Sequence, residues 1–355
     1  MKQHNKLKRN SNFELLRVIS MFAIILGHFS YHGNFNLSQH SFSINKVFLE
    51  FVQFGGDFGI NCFVMISSYF MVEWNFKVER VIKISYKVWS YSVGFIIIFV
   101  IFKIYNQDLY TLIKSIFPIL SNLYWFATSY IIFYILVPFI NIFIKSINRN
   151  IHFRILCICL TLWCIIPTIT PFELMYNELS WFITLYILIS YIKIYEPKIT
   201  SSLKVKVSII VISFLTILIS VIVLTSLADK ISVINKYITF FERRNRIPTV
   251  LFSLSVFLIF KDWKFKYKPY INLLGSATFG VYLIHDNPLM RNVLWNDIFK
   301  NNQFFNSNLL WIYAFIVALI ILIFSSLIDI IKQNSIDKLM NKIFIKIKVK
   351  NIIID

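Results

Sequence analysis

Arg17 and His28 stand eleven residues apart in SNFELLRVISMFAIILGHFSY, a run that is otherwise mostly apolar. At ~100° per residue the two are offset by only about 20° after three turns, so they share one helix face about 16 Å apart along its axis. Burying such side chains at membrane depth costs at least ~2.5 kcal/mol, which makes them functional candidates by default. Glu14, three residues before Arg17, is placed to pair with it, and His32, one turn after His28, extends the stripe. This face suits a long ligand that is charged at one end and reactive at the other. The planar guanidinium matches phosphate, and an imidazole is suited to general-base work near neutral pH. Taken singly, Arg17 also reads as snorkelling to an interface, and His28 as a hydrogen bond to a neighbouring helix.

Three further stretches carry candidates. In QFGGDFGINCFVMISSYF, Gly55, Gly56 and Gly59 surround Asp57, and Asn61 follows by one turn as a substrate-binding candidate. Asp57 needs a partner at that depth: His28 or His32 would let it orient and charge an imidazole, unless it faces water at the interface. LLGSATFGVYLIHDNP places His285 and Asp286 before Pro288. His285 reads either as a ligand for a hydroxylated acceptor or as a helix-end residue. NLYWFATSY puts Tyr124 and Trp125 at the entrance of an apolar run, as acceptor-binding aromatics or as part of an interfacial belt.

The elements that must position these residues are membrane helices. Of 355 residues 57% are hydrophobic and 15% charged, and apolar stretches of ~17–25 residues recur from end to end. The expected fold is an all-α integral membrane protein, a single polytopic domain over residues 1–355 with about ten transmembrane helices. The expected spans are 13–31, 47–72, 88–105, 119–144, 155–170, 179–195, 207–227, 247–260, 271–290 and 309–331. An even number puts both termini on one side. About 25 of the 36 Lys and Arg residues fall in one set of breaks and about 9 in the other, which makes the first set, and both termini, cytoplasmic.

Topology therefore accounts for the net charge of +19 without nucleic acid. Residues 1–12 read as a basic cytoplasmic segment before a retained first span, since no small-x-small cleavage site follows. Residues 332–355 read as a basic tail on the inner surface of the lipid bilayer. Cys62, Cys157, Cys159 and Cys164 form no CxxC pair and have no His at ligand spacing, so neither a disulfide nor a metal site is expected. No GxxxxGK[ST], GxSxG or HExxH pattern occurs, which disfavours a pump or a membrane metalloprotease.

With these residues in hand, the chain resembles the membrane-bound acyltransferase family 3, the bacterial O-acyltransferases that modify cell-surface glycans, over essentially its whole length. The Arg, ten residues, His pattern is met by Arg17 and His28, with Glu14 at the family's usual acid. GGDFGINCFVMISSYF is similar to the second-span signature, with Ser68 in place of its glycine. LYWFATSY, LSWFITLYILISYI and TFGVYLIHDNP are similar to later motifs.

The resemblance implies transfer of an acyl group, usually acetyl, from cytoplasmic acyl-CoA to a sugar hydroxyl at the outer face of the bacterial cell membrane. Arg17 would meet the phosphates of acetyl-CoA, and His28 would be the base. Transfer is either direct or through an acyl-enzyme. No esterase-like domain is read in the chain, which tilts the expected acceptor to a capsule, wall or exopolysaccharide. Two rival readings remain. A flippase or transporter of lipid-linked glycans would use buried Arg, Asp and His as a path but calls for paired halves. A membrane glycosyltransferase calls for a larger outer loop.

Overall fold

The computed structural model describes residues 10–73, 76–197 and 202–338, and no strand occurs among them. The basic N-terminal residues before Asn10, Lys198 and the basic tail from residue 339 onward lie outside the described residues. The helices are α1 (Ser11–Tyr31), α2 (Ile44–Val52), α3 (Phe54–Met71), α4 (Val78–Ile101), α5 (Leu109–Ile116), α6 (Trp125–Ser146), α7 (Arg149–Leu160) and α8 (Ile166–Ile169). They continue with α9 (Glu178–Tyr195), α10 (Leu203–Ala228), α11 (Ile247–Asp262), α12 (Pro269–His285), α13 (Pro288–Asn292) and α14 (Leu310–Asn334).

Eight helical stretches are long and apolar enough to cross a membrane: α1, α2 with α3, α4, α6, α7 with α8, α9, α10, and α14 with the residues up to Lys338. The other two expected spans fall on α11 and α12, of 16 and 17 residues. At ~1.5 Å per residue these are shorter than a ~30 Å hydrocarbon core requires.

Element ends follow local chemistry. The expected start at residue 119 moves to Trp125, because Pro118 and the left-handed Asn122 (φ 53°) belong to a run of turns. The next helix starts earlier than expected, at Arg149, where the Asn148 side chain accepts from the Ile151 amide as an N-cap. From α7 the chain passes through a π-turn, Thr161–Ile165, into α8 without a break.

The bundle is built around α1, which packs against α3, α12, α14 and α11. Small residues let the backbones approach: a Cβ added at Gly59 of α3 would lie 2.6 Å from the Ser20 carbonyl oxygen of α1, and one at Gly55 would lie 2.5 Å from that of Ala23. The start of α1 is pinned by polar side chains. The Ser11 hydroxyl donates to Asn272 (2.8 Å) and accepts from the Lys268 amide (2.9 Å), while Asn12 donates to the Phe260 carbonyl (2.7 Å). Buried Asp329 joins α14 to α4, pairing with Lys87 at 2.8 Å and accepting from the Tyr91 hydroxyl at 2.7 Å. Around this interior, α10 and α14 turn large apolar side chains such as Ile212, Ile219, Phe324 and Ile328 outward, as helices facing lipid do.

The glycine contacts separate two substitutions of equal chemistry. Gly59→Val should cost about 1–3 kcal/mol by overpacking, whereas Gly94→Val, with open space around its added Cβ, should be nearly neutral. Thermal unfolding in detergent checks this, and equal midpoints for the two variants would contradict the close α1–α3 contact.

Candidate functional site

The end of α1 and the end of α12 meet. His28 lies in the last turn of α1 and His32 just beyond it, while α12 closes on His285 with Asp286 as its C-cap. Pro288 begins α13, and the Asn287 side chain caps that helix by accepting from the amides of Leu289 and Met290. The Tyr124 hydroxyl locks the corner from outside: it donates to the Leu283 carbonyl at 3.1 Å and accepts from the Asn287 amide group.

Asp286, only 2% exposed, is thereby aimed at the histidines. Its Oδ1 lies 3.4 Å from His32 Nε2 and 3.6 Å from His28 Nδ1, and it accepts from Arg291 Nε at 3.0 Å and Nη2 at 2.9 Å.

Hydrogen bonds assign the proton on each ring. His285 Nδ1 sits 2.7 Å from the Val281 carbonyl oxygen, which can only accept, so Nδ1 carries the hydrogen and the neutral ring keeps its lone pair on Nε2. That Nε2 is 3.1 Å from His28 Nδ1, which therefore donates. The neutral His28 ring is left with its lone pair on Nε2, as a general base requires. His285 and Asp286 hold His28 in this tautomer, much as a carboxylate orients the histidine of a catalytic triad.

His28 borders two cavities. The first, about 260 Å³, runs along the α1 face from Arg17 past Met21 and Ile24 to His28 and Asp286, with Tyr130 and Phe279 among its walls. Arg17 is held at its end by Glu14, 2.6 Å away. The second, about 590 Å³, is lined by Asp57, Glu178, Tyr176 and the loop residues Glu242 to Asn245. Trp125 and Ile60 border both, beside His28.

Arg244 organises the second cavity. Its Nε donates to Asp57 at 2.6 Å, Nη1 reaches Glu178 at 2.8 Å, and the guanidinium lies 4.5 Å over the Trp125 ring. Burial disfavours this cation, but Asp57 and Glu178 more than offset it and raise its pKa. Glu173 pairs with Arg246 at 3.0 Å and Arg243 at 3.2 Å.

Each residue singled out in the sequence now has a place. Arg17 and His28 line one cavity on one helix face, as their spacing requires, and His32 and His285 join the cluster around His28. Asp57 does not reach an imidazole: its partner is Arg244, and the carboxylate beside His28 and His32 is Asp286. Asn61 is fully buried and used up structurally, donating to the Arg244 carbonyl (2.8 Å) and accepting from Trp181 Nε1 (2.9 Å). Tyr124 is likewise buried as a brace, whereas Trp125 faces both cavities.

Sequence reasoning passed over Asp286, Arg291, Arg244 and Glu178. Their signals were the HD pair before Pro288 and the clustered charges of ERRNR in a short loop. The four cysteines are free. One atom from each of His28, His32 and Asp286 falls within 4.8 Å of the others, a spacing a metal ion could accept. In this structure His285 already engages the His28 nitrogen and Arg291 the Asp286 oxygen.

A helical membrane bundle with an oriented base between two cavities is the framework of an enzyme acting inside the membrane. Residues 10–329 match the family model described as an acyltransferase domain, and the chain belongs to this family, acyltransferase 3. The protein is thus a membrane acyltransferase. No curated protein and no solved structure matches the chain.

The geometry ranks two carboxylates. Asp286→Asn should lower the acyl-transfer rate about 10²-fold, the scale of general-base assistance, without loss of folded protein. Asp57→Asn should act through the Arg244 loop and lower thermal stability. Rates and melting curves of the two purified variants check this, and equal rate losses would refute the ranking.

Proposed function

We propose that the protein is an O-acyltransferase of the bacterial cytoplasmic membrane, moving an acyl group, acetyl in the first instance, from cytoplasmic acyl-CoA to a hydroxyl of a cell-surface polysaccharide or its precursor. The observation that carries this reading is the single cavity bounded by Arg17 at one end and His28 at the other, opening at His28 onto a second, polar cavity. A long donor with a phosphorylated head and a thioester tip fits such a path, because an extended pantetheine arm is comparable in length to the ~16 Å between the two residues. Arg17 has N–H donors beyond the one that Glu14 engages, and these would meet a phosphate.

In this reading the acceptor enters through the polar cavity and lays its hydroxyl against His28. The hydroxyl oxygen attacks the thioester carbonyl while His28 Nε2 takes the hydroxyl proton. The carbon–sulfur bond then breaks, and the CoA sulfur leaves with the proton from His28. An ester and free CoA result, and His28 returns to its starting tautomer. While the ring is cationic, Asp286 at 3.6 Å stabilises it. The direct route needs no acyl-enzyme, and the cavities' meeting at His28 favours it over a covalent one.

The test is the O-acetyl content of surface glycan, read by NMR before and after mild alkali in cells carrying the wild-type protein, none, or His28→Ala. Acetyl signals should require both the protein and His28. Loss of glycan export with O-acetylation intact would point to transport instead. In purified protein, Arg17→Ala should raise the KM for acetyl-CoA by about 10-fold or more, and Arg17→Lys should also be impaired if the contact is bidentate. Unchanged donor affinity in Arg17→Ala would remove the phosphate role.

A further inference from the structure

The polar cavity beside His28 is acidic in a chain of formal charge +19. Its lining carries Asp57, Glu173, Glu178 and Glu242 against only Arg243 and Arg244. Neither guanidinium is at liberty. Arg244 is shared between Asp57 and Glu178, and Arg243 is drawn to Glu173. A carboxylate or phosphate entering here would meet like charge with no free cation to pair with.

Glu242 points to what the cavity does accept. It is 2% exposed, and neither carboxyl oxygen has a hydrogen-bond partner at bonding geometry. Burial first, then the negative charges of Glu50 and Asp57, push its pKa well above the usual carboxylate range, while the Phe54 amide, the weakest of these influences, works the other way. At neutral pH the side chain is therefore a carboxylic acid, with one O–H to donate and oxygens to accept. An unpartnered buried acid costs stability unless a ligand completes it. Trp125 and Tyr176 supply flat apolar faces in the same cavity, suited to the C–H faces of a sugar ring.

We infer that this cavity selects a neutral or amine-bearing glycosyl acceptor and rejects one carrying carboxylate or phosphate, with Glu242 hydrogen-bonding the acceptor's hydroxyl or amide groups. The inference rests on the reading of this cavity as the acceptor side of an acyltransferase, and it adds the charge class of the acceptor and the residue that recognises it.

Binding and turnover are measured separately. Titration calorimetry on the His28→Ala protein in nanodiscs uses three probes: the para-nitrophenyl glycosides of N-acetylglucosamine, glucosamine and glucuronic acid. The first two should bind about 10-fold or more tightly than the glucuronide at the same ionic strength. Adding Glu242→Gln should keep binding of the N-acetylglucosaminide within about 3-fold, because the amide still donates and accepts, whereas Glu242→Leu should weaken it by about 10-fold or more. Equal or tighter binding of the glucuronide, or no binding of any probe, overturns the charge selection. Wild-type binding in Glu242→Leu overturns the role of that side chain. Acetyl transfer from acetyl-CoA to the same glycosides is assayed with His28 intact: preferential binding without transfer to any of them refutes the acyl-transfer reading and leaves the selection standing.

Discussion

The structure turns on one buried carboxylate. Asp286 sits at the end of α12 with 2% of its surface exposed, and a charge so placed is tolerated only if neighbours supply what water would have supplied. Arg291, His32 and His28 do so, and each comes from a different place along the chain: the short helix after the corner, the residue after α1, and the last turn of α1 itself. Removing a partner from such a pair typically costs about 3–5 kcal/mol. The need to satisfy Asp286 thus draws the ends of α1 and α12 together and fixes the histidine rings. Tyr124 and Asn287 hold the corner on which Asp286 rides, so a residue resembling part of an aromatic belt is better understood as a brace.

The helix period made one half of the site readable from sequence. Arg17, Met21, Ile24 and His28 recur at the intervals of a single α-helical face, so their common cavity needed no knowledge of the neighbouring helices. Partners across the bundle were not readable in the same way. Asp57 was the plausible mate for His28 because it lies on the next apolar run, yet Asp286, more than two hundred positions away, fills that role. Periodicity reports which way a side chain points on its own helix and says nothing about which helix lies opposite. The ERRNR loop shows the same limit. Its arginines counted towards a charge balance, and only the folded chain shows Arg244 inserted between Asp57 and Glu178.

The spans divide similarly. Eight apolar runs became helices long enough to cross a bilayer, because length and composition are local properties. The two that fell short, α11 and α12, are packed against α1, and the glycines of α12 are pressed against acidic side chains, Gly275 against Glu14 and Gly280 against Asp329. A helix enclosed in this way is shaped by its neighbours rather than by the thickness of the membrane. That α12 ends at His285, and does not continue as the apolar pattern suggested, is what turns Asp286 into the cluster. The shorter helix and the assembled site have one cause, the corner at Asn287 and Pro288.

Placing Arg17 and His28 on one continuous helix also sets how a long ligand can be read. Eleven residues of α-helix form a rigid spacer, whereas the same two side chains on separate helices would move with every rearrangement of the bundle. Between them the wall is apolar, Met21 and Ile24 from α1 with Phe279 opposite, so a ligand spanning the gap is recognised at its ends and measured in between. Beyond His28 the lining changes to carboxylates, amides and guanidiniums. In the acyl-transfer reading this change in polarity sorts the two substrates. The donor's apolar arm has no reason to pass into the charged cavity, and a polyol has no reason to pass into the apolar one. Each is therefore stopped where the other begins, at the lone pair of His28.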